Sequence, residues 1–151
     1  MTHLKVGDKA PNFTGFDQNG APVELADYKG KKLILYFYPK DNTPSCTKEA
    51  CNLRDNYSLL NKKGYDVLGV SPDSEKSHLK FIDKYGLPFK LLVDTDLVTA
   101  NAYGVWGEKK FMGRIYDGIH RITFVIDEMG IIEQVILKVK TKEHTEQILA
   151  L

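Results

Sequence analysis

Two cysteines, one tryptophan, no excess of either charge and no apolar run near the ~18 residues that cross a bilayer mark this sequence by its shortages. Each shortage excludes something. With 21 Lys+Arg against 20 Asp+Glu, nothing invites a nucleic acid or another polyanion, so no nucleic-acid partner is expected. No membrane association is expected either. Met1-Thr2-His3-Leu4-Lys5 lacks the apolar core of a signal peptide, and a cytoplasmic protein is expected. There is no Cys-x-x-Cys, and none of His3, His78, His120 and His144 stands at ligand spacing from the cysteine pair, so no metal is expected. In a reducing compartment two nearby cysteines then read as redox-active rather than as a permanent staple. Repeats, linkers and low-complexity segments are absent. The 151 residues fit one domain over 1–151, long enough to bury a full core unaided.

The stretch from Leu33 to Arg54 organises the rest and holds both cysteines. Leu33-Ile34-Leu35-Tyr36-Phe37-Tyr38 is short, apolar and unbroken, as expected of a strand buried on both faces of a parallel sheet. A helix from Thr43 to about Leu60 should follow. Thr43 suits the N-cap and Pro44 the first helical position, which puts Cys46 in the first turn. Unpaired N–H groups and the helix dipole favour an anion there, so a thiol at Cys46 should ionise more readily than a free cysteine. Cys46 also lies on a stripe with Ala50, Leu53, Tyr57 and Leu60, the core face of an amphipathic helix, where a cysteine is ordinarily inert packing. Its company argues for reactivity: a threonine cap, a proline at the helix start, and Lys40, Lys48 and Arg54 nearby, outweighing Asp41 and Glu49.

Pro39-x-x-x-Thr43-x-x-Cys46 resembles the peroxidatic signature of the peroxiredoxins. The longer stretch, Tyr36-Phe37-Tyr38-Pro39 through Ala50-Cys51-x-x-Arg54-Asp55, is similar to the subgroup called bacterioferritin comigratory protein or peroxiredoxin Q. Ser45 departs from the glycine common in that subgroup, but a second helical position does not require glycine. Gly118-Ile119-His120-Arg121-x-Thr123-Phe124-x-Ile126-Asp127 looks like the second peroxiredoxin signature. The resemblance covers nearly the whole chain.

It implies a thiol peroxidase acting on hydrogen peroxide and small organic hydroperoxides. Cys46 would be oxidised to a sulfenic acid, and Cys51 would attack it to give a disulfide that thioredoxin or a similar dithiol reduces; no cofactor is implied. Arg121 would lie against the sulfur, Thr43 would hold the peroxide, Pro39 would shield the sulfenate, and Glu49 would orient Arg121 unless it simply faces solvent. Five residues along an ideal helix place two Cα atoms ~8–9 Å apart, beyond the ~7 Å reach of a disulfide. If the cysteines pair, the helix around 43 to 52 must unwind in each cycle.

The remainder reads as follows. Phe13-x-x-Phe16 and Val23-x-Leu25 flank Gln18-Asn19-Gly20, a hairpin turned at Asn-Gly that covers a sheet edge. Tyr65 to Ser71 is a second buried strand, parallel to the first. Ser71 to Glu75 offers caps for a helix through Tyr85 with Leu79, Ile82 and Tyr85 inward and Gly86 at its stop. Leu87 to Asp94 is a third strand, placed near an edge by Pro88. Asp94-Thr95-Asp96 caps a short helix ending at Gly104. Val105 to Gly118 reads as a loop pinned by Trp106, Phe111 and Tyr116, with a pocket wall or reductant-docking surface as the functional alternative. His120 to Asp127 and Ile131 to Leu137 form an antiparallel pair, and a helix from Thr141 to Leu151 ends the chain. His120 is taken as structural. This order is that of an α/β, thioredoxin-like sandwich with an N-terminal β-hairpin extension.

Two other classes remain compatible with the residues. A thiol–disulfide oxidoreductase would share the fold but ordinarily spaces its cysteines by two residues, and a redox-regulated holdase would need no peroxide turnover. No exposed apolar seam is apparent, so a monomer is favoured over a dimer.

Overall fold

Alternation along one strand divides the molecule into two layers. In β3 (Lys32–Phe37) and the residue after it, Leu33, Leu35 and Phe37 point to one side and Ile34, Tyr36 and Tyr38 to the other, all fully buried. The computed structural model describes residues 1–150. Around β3 it places β1 (Thr14–Asp17), β2 (Pro22–Glu24), β4 (Tyr65–Ser71), β5 (Lys90–Val93), β8 (Thr123–Ile126) and β9 (Ile132–Ile136) in one sheet of order β2-β1-β5-β4-β3-β8-β9. β3 pairs in parallel with β4 and antiparallel with β8, so it is an interior strand beside the central β4.

The Ile34 side is covered by α1 (Pro44–Asp55), α2 (Tyr57–Lys62), α3 (Glu75–Tyr85) and α5 (His144–Leu149). On the Leu33 side lies α4 (Val98–Ala102), with Ala100 in the same core and Tyr103, just after the helix, packed against Phe37 and Phe124. The result is a helix–sheet–helix sandwich with an added N-terminal hairpin, as the order of elements implied.

Several expectations are corrected. The helix after β3 does not run unbroken to Leu60: it stops at Asp55, and α2 begins after Asn56, whose backbone is not helical. α3 buries His78 and Phe81, while Leu79 is exposed and Ile82 and Tyr85 are half-buried. The third strand is interior because β1 pairs with it, and Pro88 falls before its first residue, where no ladder bond is lost. Leu97, with φ +63, precedes α4, yet Asp94 does cap it, accepting from the N–H groups of Thr99 and Ala100.

Val105 to Gly118 is not a loop. It forms β6 (Trp106–Phe111) and β7 (Arg114–Ile119), a two-stranded arm outside the main sheet. Met112 and Gly113 both have positive φ, the geometry of a tight two-residue hairpin turn. Phe111, Met112, Ile115 and Tyr116 are exposed at its end, so the chain does present an apolar surface that the sequence did not reveal. The final helix is a 3-10 turn, Thr141–Glu143, followed by α5; the expected end at Leu151 lies outside the described residues.

Candidate active site

The loop from β3 into α1 is held by a buried carboxylate. Asp41 accepts from the hydroxyls of Tyr38 and Ser77, its Oδ2 lies 2.8 Å from His78 Nδ1, and its N–H donates to Asp73. His78 Nε2 faces the carbonyl of Leu92 at 2.9 Å and so must donate. These bonds tie Pro39 to Thr43 to β4, α3 and β5. Asp41, Asp73 and His78 are the group of potential metal ligands found among the described residues, but the atoms that would bind are already hydrogen-bonded to the protein.

Asn42 then takes φ +59, which asparagine tolerates, and turns the chain into α1. Thr43 occupies the N-cap with extended backbone and Pro44 follows it, as expected. Its side chain makes no cap. The hydroxyl instead donates to the carbonyl of Lys40 at 2.8 Å, which leaves its lone pairs to accept a hydrogen bond from a bound molecule. The first backbone bond of the helix runs from Thr47 N to Thr43 O, so the Cys46 N–H points out of the helix end without an intrahelical acceptor.

Cys46 is only 1% exposed, which restricts its reaction partners to small molecules while α1 is intact. Arg121, from the segment just before β8, donates Nη2 to Cys46 Sγ at 3.2 Å and Nη1 to Glu49 Oε1 at 2.7 Å. One cation therefore serves two would-be anions. Glu49 is fully buried, not a solvated helix face, and burial pushes its carboxyl up to about 7 although the charge and hydrogen bond of Arg121 pull it down. For Arg121, burial disfavours its charge, but Glu49 and Cys46 outweigh that and hold it more firmly protonated. The positive charge at the sulfur comes from Arg121, not from the helix's own basic residues. Lys40 and Lys48 are exposed, and Arg54 is spent on Asp55 and on the carbonyl of Tyr85.

Pro39 is half-buried at the end of β3. Cys51 is half-buried within the same unbroken α1, and both thiols are free. Asn52, the next residue, pins that part of the helix to the C-terminal segment: Oδ1 accepts from Thr145 N at 2.8 Å and Nδ2 donates to Lys142 O at 2.9 Å. His120, taken as structural, faces the carbonyl of Glu108 and ties the arm to the segment before Arg121.

Two site residues carried no signal in the sequence. Lys109, in β6, lies over Gly118 and donates to the carbonyl of Ile119 at 2.8 Å; burial and then Arg121 lower its pKa, with the Cys46 charge opposing them. His144, at the start of α5, is fully buried with Nε2 3.4 Å from Glu49 Oε2. Both come from distant parts of the chain that looked like a loop and a terminal helix, and only the tertiary fold brings them to Arg121.

The AhpC/TSA family profile matches residues 6–135. The chain is 50% identical over 149 residues to peroxiredoxin Bcp of Escherichia coli strain K12, covering 99% of this chain and 96% of that protein. Among solved structures, it superposes on a cysteine-to-serine mutant of Xylella fastidiosa PrxQ with a TM-score of 0.92 and 34% identity, covering 99% of this chain and 96% of the other. A Xanthomonas campestris bacterioferritin comigratory protein, described for its alkyl peroxide reduction activity, matches at a TM-score of 0.86, 34% identity and the same coverage. No helix among the described residues is long and apolar enough to cross a membrane.

Proposed function

Because this chain belongs to the AhpC/TSA family, as a thiol peroxidase of the peroxiredoxin Bcp and Q kind, we propose that Cys46 is its peroxidatic nucleophile and Cys51 its resolving thiol. The observation that carries the assignment is the Arg121 guanidinium, shared between Cys46 Sγ and Glu49 Oε1. A charged donor at that distance stabilises the thiolate, which is the reactive form.

The thiolate attacks the distal oxygen of hydrogen peroxide or a small organic hydroperoxide. The S–O bond forms as the O–O bond breaks, giving a sulfenic acid and, after protonation of the leaving oxygen, water or alcohol. The Thr43 hydroxyl, committed as a donor to Lys40, accepts the peroxide O–H and so fixes which oxygen faces the sulfur. The Cys46 N–H and Arg121 donate to the oxygens on which charge develops, and Glu49 orients Arg121. Pro39 shields the sulfenate from further oxidation. Cys51 thiolate then attacks the sulfenic sulfur, hydroxide leaves as water, and thioredoxin or a similar dithiol reduces the disulfide by exchange. No cofactor enters these steps. Both cysteines lie in one intact helix, so residues 43 to 52 unwind before they pair. The setting proposed is the cytoplasm.

The test is peroxide consumption coupled to thioredoxin and thioredoxin reductase. Wild type should turn over, Cys46→Ser should not react, and Cys51→Ser should react once without being recycled. Turnover by Cys46→Ser would sink the assignment, as would an oxidised form that keeps helical amide protection through 43 to 52.

A further inference from the structure

The hydrogen bonds around His144 determine which of its nitrogens carries a proton. Gln147 Nε2 donates to Lys138 O at 2.7 Å, and Gln147 Oε1 accepts from Lys140 N at 3.1 Å, so its amide orientation is settled. That same Oε1 lies 3.0 Å from His144 Nδ1, which must donate to it. In the neutral ring Nε2 is then an acceptor. It faces Thr123 Oγ1 at 2.9 Å and Glu49 Oε2 at 3.4 Å.

Glu49 Oε2 is buried and has no hydrogen-bond donor among the described residues. With Glu49 ionised and His144 neutral, the Thr123 hydroxyl can donate to Nε2, but the buried Glu49 Oε2 beside it would carry charge without a donor, which is unfavourable. A proton between the two atoms removes the conflict. The surrounding charges ask for the same thing. Around the pair stand Cys46 from α1, Arg121 and Thr123 from the β8 segment, Tyr36 from β3, Lys109 from β6 through its effect on Arg121, and Glu146 and Gln147 on α5. With Cys46 a thiolate and Glu49 a carboxylate, one guanidinium would have to serve two buried anions.

We propose that Glu49 and His144 hold one proton between them while Cys46 is a thiolate, carried on Glu49 Oε2 and accepted by His144 Nε2, so that Arg121 is undivided for the sulfur. His144 is thereby a positioning residue for the peroxide step, acting through Glu49. Burial places the proton on the acid rather than on the imidazole, since it pushes Glu49 up to about 7 and His144 down to about 4.

The consequence is a proton inventory. The thiolate donates an electron pair to the distal peroxide oxygen, the S–O bond forms, and the departing alkoxide or hydroxide takes up one proton. Once the sulfur is no longer anionic, Arg121 turns wholly to Glu49, which ionises and releases its proton. Oxidation of the thiolate then draws no net proton from the bulk.

This inference rests on Cys46 being the peroxidatic cysteine. The experiment is a single turnover of the full-length Cys51→Ser protein with one equivalent of hydrogen peroxide in weakly buffered indicator dye. The pH is chosen where ultraviolet thiolate absorbance has reached its plateau, and sulfenic acid is trapped with dimedone. The expected result is sulfenic acid with no net proton uptake, against about one proton per peroxide when Glu49→Gln is added. Uptake of about one proton without the added change overturns the proposal while leaving the peroxidatic assignment intact. Absence of the dimedone adduct instead strikes that assignment, and the proposal falls with it. Should the added variant misfold, the stoichiometry of the Cys51→Ser protein alone decides.

Discussion

Two histidine–carboxylate pairs are buried on the same side of the sheet, and they are built to opposite rules. In Asp41–His78 both carboxylate oxygens and both ring nitrogens have close partners, including a 2.8 Å contact between the pair. In Glu49–His144 the contact is 3.4 Å and Glu49 Oε2 has no donor among the described residues. A satisfied buried network rigidifies its surroundings, whereas an unsatisfied one is retained where chemistry uses it. The first pair fixes the loop that delivers Cys46; the second lies behind the cation that touches it.

The largest effect should come from breaking the satisfied pair. Asp41→Ala removes the carboxylate that Tyr38, Ser77 and His78 all contact and should cost about 3–5 kcal/mol of stability. Urea unfolding measures it. A loss below about 1 kcal/mol would show that the pair does not anchor the loop.

Arg121 tests the opposite rule. Arg121→Met should leave the fold largely intact, because the position is partly exposed and methionine covers the same apolar stem, but should slow peroxide reduction by about 10²–10³-fold. Stopped-flow kinetics with hydrogen peroxide give the rate. A variant that loses stability but not rate would place Arg121 with the structural pair.

The pH dependence of stability sharpens the contrast further. The folded value of Glu49, about 7, lies above its ordinary 4.5, so the folded chain holds an extra proton between them. That contribution to stability falls as pH rises through this window. The folded value of His144, about 4, lies below its ordinary 6.5, so the unfolded chain holds the extra proton, and stability rises with pH there. The two nearly cancel in the wild type, because folding only moves one proton from imidazole to carboxyl. His144→Leu should expose the falling limb and Glu49→Gln the rising one, each by about 3 kcal/mol across its window. Urea unfolding at a series of pH values reads the slopes, and parallel profiles for all three proteins would dissolve the distinction between the pairs.

Most of the fold was legible because its signals are local. The run Leu33 to Tyr38, the Asn19-Gly20 turn, the Ser74 cap and the Gly86 stop each depend on neighbours in sequence and appear where expected. The arm was not legible. Its turn places Met112, not asparagine, at positive φ, and Trp106-Gly107-Glu108-Lys109-Lys110-Phe111 does not alternate as a half-buried strand does. In the site, Arg121 does meet Cys46 and Glu49, the contacts that the two separate motifs implied, while Thr43 takes the N-cap position. His144 was invisible because a histidine at the start of a terminal helix looks like a surface residue; its burial against Glu49 is a tertiary fact.

The smallest expected effect concerns how α1 is released. Asn52 makes the two side-chain bonds that hold the Cys51 turn to Lys142 and Thr145, and unwinding through 52 must break both. Each is worth about 0.5–1.5 kcal/mol. Asn52→Ala should therefore lower stability by about 1–2 kcal/mol while hastening disulfide formation from the sulfenic acid several-fold. The rate of peroxide attack should stay the same, because Asn52 touches neither Arg121 nor the sulfur. Rapid mixing with limiting peroxide, followed by quantifying free thiol, separates the two steps. Slower disulfide formation in Asn52→Ala would mean that the contacts with α5 guide Cys51 to the sulfur rather than restrain it, and the C-terminal segment would then belong with the reactive pair rather than with the structural one.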